Sequence, residues 1–207
     1  DTPWTTMMPA FREAFGTMFS ISLGKQTPDA ERNISRYQTV LDKALEEFNR
    51  RKSLRETNPD EVNFGPSIFL VCAIGPLNRA DRLRPEQGTR SEVPSETAKS
   101  LIDLVAKGPE LGIHTLLWLE DMRTFSRVNA DDKSWITHFD LRVALRLTQD
   151  ESRTLLRDTN AEMLGQHRAL LLDDASSLGL QKFKPYAVPS DEEIADYGNQ
   201  LAQRNRS

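Results

Sequence analysis

Apolar and polar positions alternate in blocks along the chain, and the first blocks predict a long helix followed by a buried strand. Between residues 34 and 48, apolar side chains recur every three or four positions, which is typical of an amphipathic helix. Thr27 and Pro28 form a good helix start, and the helix is expected to run to about Arg55. Residues 68–74 are continuously apolar, which predicts a strand buried on both faces.

The middle of the chain predicts a second helix and a second central strand. Pro94 and Ser95 open a helix that should end near Lys107, before the Gly-Pro pair that follows. Residues 113–119 form the next apolar run of strand length. The polar stretch at residues 83–93 is expected to be a mobile loop.

The last third predicts a strand, a short helix, a hairpin and a final helix. Residues 141–147 have strand character, and Thr148 is a helix cap followed by acids. Residues 168–172 and 182–188 are expected to pair as a closing hairpin. Ser190-x-x-Glu193 is the spacing of a capping box.

This order of elements predicts an α/β fold, because helices that alternate with strands act as crossovers between parallel strands. We expect a three-layer sandwich with a mostly parallel central sheet and a C-terminal antiparallel hairpin. The chain of 207 residues is long enough for one such domain, spanning residues 1–207.

Composition excludes several classes of protein. The net charge of -4 argues against a protein that coats nucleic acid through its whole surface, although a local basic stripe remains compatible with it. Cys72 is the single cysteine, so an internal disulfide is excluded and a reducing, cytoplasmic compartment is expected. The sequence contains no apolar run of membrane-spanning length and no signal peptide pattern. The first residue is Asp1 rather than Met, so a fragment of a longer protein is expected.

Several phrases of the sequence occur in an order that resembles a known family. They are Leu45-Glu46-Glu47-Phe48-Asn49-Arg50-Arg51, Leu111-Gly112-Ile113-His114, Asp140-Leu141-Arg142-Val143-Ala144-Leu145-Arg146 and Leu164-Gly165-Gln166-His167-Arg168. Together they resemble the C-terminal half of the FtsK/SpoIIIE/HerA class of DNA-pumping ATPases, over residues 34–189. The resemblance implies a RecA-like P-loop fold, DNA as a partner of the parent assembly, and self-association into a ring or binding to other subunits.

The chain departs from that family where ATP would be held and hydrolysed. A phosphate loop has the form GxxxxGK[ST], and the nearest string, Gly24-Lys25-Gln26-Thr27, fails its spacing. If the resemblance holds, the loop lies upstream of Asp1, and ATP and Mg²⁺ bind only with those upstream residues. The Walker B acids should stand near Ala73 and Ile74, which can neither hold a metal nor polarise water.

Candidate site residues are few. Arg142 and Arg146 lie four apart on one predicted strand, and in motors of this class an arginine here can reach a nucleotide; the commoner role is a salt bridge. Glu120 stands near the family's sensor position, with Asp121 beside it, where the motors usually carry an amide.

A second set of candidates follows the first central strand. Arg79, Arg82, Arg84 and Arg90 are a candidate nucleic-acid contact, with a solvated loop as the plainer interpretation. His114 is expected to have a structural role, and Cys72 is expected to be inert packing with a raised thiol pKa. The sequence offers no metal ligand set.

Three functional hypotheses follow. The first is an FtsK/HerA-like ATPase module of a DNA-acting assembly, with eroded catalytic acids. The second is a non-hydrolysing RecA-like scaffold kept for subunit contacts. The third is a conventional small α/β enzyme, which the absence of a nucleophile–base constellation disfavours. Whether ATP is hydrolysed stays open at the level of sequence.

Overall fold

The structure, a computed structural model, describes residues 18–20, 30–65, 67–73, 83–119, 121–185, 190, 192–193, 195–196 and 199–200. The chain divides into two compact units. The parallel-sheet unit comprises residues 1–132 and 190–207, and the antiparallel-sheet unit comprises residues 133–189.

The parallel-sheet unit alternates helices with strands along the chain. Its elements are β1 (Met18–Ser20), α1 (Ala30–Thr57), β2 (Ile68–Ala73), β3 (Glu86–Gln87), β4 (Glu92–Val93), α2 (Glu96–Lys107), β5 (Ile113–Trp118) and α3 (Met122–Val128). Strands β1, β2 and β5 form one sheet in that order, and both neighbouring pairs are parallel. The helices α1 and α2 therefore lie in the two crossovers that parallel pairing requires.

Local sequence signals set the helix ends. Ser95 caps α2 by accepting a hydrogen bond from the Ala98 amide, as the hydroxyl at that position predicts. The chain then turns through a 3-10 helix at Pro109–Leu111 and enters β5 after Gly112. Gly112 has a φ of 71°, which is the left-handed region that favours glycine. The predicted capping box at Ser190 and Glu193 is also present.

Among the described residues, the two faces of the parallel sheet differ in burial. Ile68, Leu70 and Cys72 alternate along β2 and are buried, together with the apolar sides of α1 and α2. On the opposite face Phe69 is 37% exposed, Leu116 is 60% exposed and Trp118 is 53% exposed. Of the residues that β2 places on this opposite face, the structure describes the burial of Phe69 alone, so the prediction that residues 68–74 are buried on both faces stays a prediction for the second face.

The polar stretch at residues 83–93 forms a hairpin instead of the expected irregular loop. Strands β3 and β4 pair antiparallel, and the Gly88 amide donates to the Ser91 carbonyl across the turn. Leu83 is fully buried at the start of this segment, which anchors it to the unit. The hairpin was missed because its strands are two residues each, with no apolar periodicity to reveal them.

The antiparallel-sheet unit has its own sheet and its own small core. Its elements are a 3-10 helix (Ser134–His138), β6 (Leu141–Ala144), α4 (Gln149–Leu156), a second 3-10 helix (Asn160–Met163), β7 (Ala169–Asp173) and β8 (Leu180–Phe183). Strands β6, β7 and β8 form an antiparallel sheet in that order. One core cluster consists of Ala144, Leu156, Ala161, Leu164 and Leu170. Thr148 caps α4 through the predicted capping box with Glu151.

The predicted closing hairpin is confirmed by β7 and β8, but the strand before it behaves differently. Residues 141–147 were expected to be a strand of the central sheet, whereas β6 ends at Ala144 and pairs with β7. The alternation of buried and exposed residues stops at Leu145, where the chain bends toward the cap of α4.

The described residues thus form a mixed α/β structure with one parallel and two antiparallel sheets. Among these residues no helix combines the length and apolar character needed to cross a lipid bilayer.

Candidate functional site

The carboxyl edge of the parallel sheet is where an α/β protein usually binds its ligand. Here β2 ends at Ala73 and β5 ends at Trp118, and these two residues are register partners. The structure thus places the expected Walker B position beside the end of β5, with a methyl group in place of a carboxylate. Ile74, the other expected Walker B position, lies outside the described residues.

The acids after β5 do not form a catalytic pair within the described residues. Asp121 is the N-cap of α3, and its carboxylate accepts hydrogen bonds from the amide and the hydroxyl of Thr124, at 2.7 and 3.2 Å. This role fully accounts for an acid at that position, because a carboxylate at a helix N-terminus satisfies free amides and favours the helix dipole. Glu120 lies outside the described residues.

Cys72 is packing rather than a nucleophile. Its side chain is fully buried on the covered face of the sheet, and this burial raises the pKa of the thiol to about 12. Because the reactive form of cysteine is the thiolate, such a group is inert at neutral pH. The expectation from sequence is confirmed.

His114 lies on the more exposed face of the same sheet. Its ring stacks on Phe69 of the neighbouring strand, with centroids 5.2 Å apart. This contact is a cross-strand aromatic pair, which gives the histidine a structural role through stacking.

The structure describes two of the four candidate nucleic-acid residues. Arg84 and Arg90 are exposed, before and inside the β3–β4 hairpin, while Arg79 and Arg82 lie outside the described residues. The same hairpin carries Glu92, which pairs with Arg127 of α3 at 2.6 Å. This hydrogen bond lowers the pKa of Glu92 and ties the hairpin to α3.

Arg51 is a buried charged residue among the described part of the parallel-sheet unit, and its role was missed. It is 2% exposed, pairs with Glu47 at 2.7 Å, and donates a hydrogen bond of 2.8 Å to the Leu111 carbonyl. The hydrogen bond from Arg50, with a further one from Arg51, lowers the pKa of Glu47 to about 2 against partial burial. Glu47 is therefore ionised at neutral pH, and Arg51 fixes the end of α1 to the turn that precedes β5.

Arg142, a candidate catalytic residue, is also held inside its unit. Its side chain is 3% exposed, forms an ion pair with Asp174, and donates a hydrogen bond of 3.1 Å to the Leu155 carbonyl. Burial lowers the pKa of the guanidinium, with a contribution from the nearby Arg157. The salt bridge considered at the level of sequence exists, although its acid lies in the turn after β7 rather than on a helix.

Arg146, the second candidate, is placed differently from Arg142. It lies two residues beyond the end of β6 and is exposed. Its side chain lines a cleft together with Arg168 and Lys184. The structure therefore separates the two arginines, one internal and one at the surface.

Comparisons with known proteins give no further assignment: neither the protein-family models nor the curated proteins contain a match to the chain. Within the described residues, no group of three or more histidine, cysteine, aspartate and glutamate side chains is arranged to hold a metal ion.

Proposed function

We propose that this chain is the rear portion of an FtsK/HerA-like module, a RecA-like three-layer sandwich whose phosphate loop lies outside these 207 residues. The module is catalytically degenerate and serves an oligomeric, DNA-acting assembly. ATP and Mg²⁺ bind it only with the help of upstream residues. DNA is the partner of the assembly as a whole.

The exposed apolar side chains on one face of the parallel sheet are the observation that carries this proposal. Leu116 and Trp118 are more than half exposed there, beside Phe69 on the neighbouring strand. Parallel sheets occur almost always with both faces covered, because their crossovers place helices on each side. Exposed apolar side chains on the described part of such a sheet therefore favour a further covering layer, which the proposal supplies from the part of the module that carries the phosphate loop.

The sheet edge supports the same proposal. Among the described strands, β5 is the last of the sheet and has a partner on one side only. A further parallel strand could pair with the free edge of β5. Because phosphate loops follow the carboxyl ends of parallel strands, that further strand could carry the loop. The spacing of residues 111–146 that resembles the family begins at this same strand.

The residues at the carboxyl edge of the parallel sheet are the reason that the proposed module does not hydrolyse ATP. Ala73 stands where the metal-associated acid is expected, and Asp121 is engaged as a helix cap. Neither can orient an attacking water, which phosphoryl transfer requires. These same residues favour the second candidate, a RecA-like scaffold that binds neighbouring subunits without nucleotide.

Titration of the full-length protein with labelled ATP and with duplex DNA tests the proposal. We expect saturable ATP binding, DNA binding that weakens as salt rises, and phosphate release no faster than without protein. DNA binding without ATP binding would favour the scaffold. DNA-stimulated turnover would contradict the loss of hydrolysis, and the absence of both ligands would reject the module altogether.

A further inference from the structure

Three basic side chains form a row at one end of the antiparallel sheet. The register pairs Ala144 with Leu170 and Ala169 with Phe183. Arg146 follows the end of β6 by two residues, Arg168 directly precedes β7, and Lys184 directly follows β8. All three therefore lie at the same end of the antiparallel sheet.

The three side chains converge on one cleft. It has a volume of about 780 Å³, and all three line it. Leu145, Leu164 and Pro185 contribute apolar surface to the same cleft. The end of β6, the start of β7 and the end of β8 meet here because consecutive strands of this sheet run in opposite directions.

The row has no acid to balance it within the described part of the chain. Among the described residues, no aspartate or glutamate lines the cleft, and none of the three side chains forms an ion pair with a described acid. Other arginines of the same unit do have acidic partners: Arg153 pairs with Asp150, and Arg157 pairs with Asp174. Like charges that line one cleft repel, so a bound anion would stabilise this arrangement.

We propose that this cleft binds a small molecule that carries two or more phosphate groups. Arginine and lysine are the side chains that bind phosphate best, arginine through paired N–H donors. The cleft volume lies in the range of small-molecule sites, and its apolar residues accommodate an organic part beside the phosphates. The proposal does not depend on the proposed function, because every residue of the cleft belongs to the antiparallel-sheet unit.

The shape of the site favours a small ligand over nucleic acid. Within the described residues, His167 contributes an imidazole ring to the cleft and no phenylalanine, tyrosine or tryptophan lines it, whereas single-strand sites stack successive bases on several such rings. A duplex presents a convex surface to protruding cations, and here the cations surround a concavity. The phosphate chemistry is shared by inorganic polyphosphates and nucleotides, and the experiment separates these two sources.

Calorimetric titration of this 207-residue chain with inorganic triphosphate and with ADP tests the proposal. The chain contains no GxxxxGK[ST] string, so binding cannot be attributed to a phosphate loop. The test variants are Arg146→Gln and Lys184→Gln. The matched controls are Arg153→Gln and Lys182→Gln, which remove exposed charges of the same unit outside the cleft. Circular dichroism verifies that all four variants are folded.

We expect each cleft variant to weaken binding about tenfold, and each control to change it less than about twofold. Tighter binding of triphosphate than of ADP would identify phosphate as the recognised group, and equal or tighter ADP binding would add a contribution from the nucleoside. Both results support the site. Absence of binding by both ligands, or binding that the cleft variants leave unchanged, would overturn it.

A short DNA duplex forms a separate arm of the experiment. Binding of the duplex with the same variant dependence, while both small ligands fail, would overturn the proposal in favour of a nucleic-acid surface. Such a result would leave the proposed DNA-acting module intact. Conversely, small ligands could bind at the cleft while the full-length protein binds no DNA. That result would support the phosphate site and reject the proposed DNA-acting module.

Discussion

Replacing Arg51 with methionine is expected to lower the free energy of unfolding of the parallel-sheet unit by about 3 kcal/mol. The guanidinium is 2% exposed and donates to the Leu111 carbonyl, which the substitution would leave buried without that donor. Methionine fills much of the space but offers no hydrogen bond. Gly112 adds to the constraint, because a Cβ there would lie 3.2 Å from the Arg51 Nη1 atom.

Arg50→Met is the matched control for this prediction. Arg50 pairs with the same Glu47 at the same distance of 2.7 Å, but its side chain is 51% exposed. Exposed pairs contribute less than about 1 kcal/mol, so the control should lose little stability. Denaturant titration, with amide exchange in residues 113–118 as a local probe, measures both variants. Equal losses in the two would show that Arg51 does not join α1 to β5.

Replacing Arg142 with methionine is expected to destabilise the antiparallel-sheet unit by about 3 kcal/mol. The substitution removes the buried guanidinium, and with it the ion pair to the partly exposed Asp174 and the hydrogen bond to the Leu155 carbonyl. The carboxylate of Asp174 is 26% exposed and keeps Arg157 at 3.3 Å, which limits the loss.

Arg157→Gln provides the comparison, since Arg157 shares Asp174 but is 64% exposed. We expect its effect to stay below about 1 kcal/mol. Thermal unfolding followed by the fluorescence of Trp135, which is 1% exposed in this unit, measures the difference. If Arg142→Met leaves the stability unchanged, Arg142 has no structural role in this unit. It would then again be a candidate for contact with a nucleotide.

Much of the local structure was predictable because its causes are local. The caps at Ser95, Thr148 and Ser190 set helix starts through side chains a few residues from the amides that they satisfy. The apolar run that forms β2 and the existence of the closing hairpin were also predicted, although β8 spans Leu180–Phe183 where residues 182–188 were expected, and residues 186–188 lie outside the described residues.

What depends on distant partners was not predictable. The pattern of residues 141–147 indicates a strand but not its partner, and β6 pairs with β7 rather than with the parallel sheet. A basic cluster at the end of α1 indicates favourable helix-dipole contacts, and nothing local reveals that Arg51 is the buried member. The row of Arg146, Arg168 and Lys184 emerges only once the register of three strands is known.

At the candidate site, the sequence predicted mainly where the chain departs from the pattern of the family that it resembles. The absence of acids at the end of β2 follows from the identity of Ala73 alone. The role of Asp121 could have been anticipated, because an acid three residues before Thr124 at a helix start is a capping signal. The exposure of Phe69, Leu116 and Trp118 could not have been anticipated, because these side chains are apolar whether or not a layer covers them.

Oxidative labelling of Trp118, in this chain and in the full-length protein, tests most directly whether the exposed apolar side chains of the parallel sheet are covered by the rest of the module. Trp118 is 53% exposed here, and Trp135, which is 1% exposed, serves as the internal control. We predict that Trp118 is labelled readily in the 207-residue chain and protected in the full-length protein, with Trp135 protected in both. Equal labelling of Trp118 in the two proteins would contradict the account.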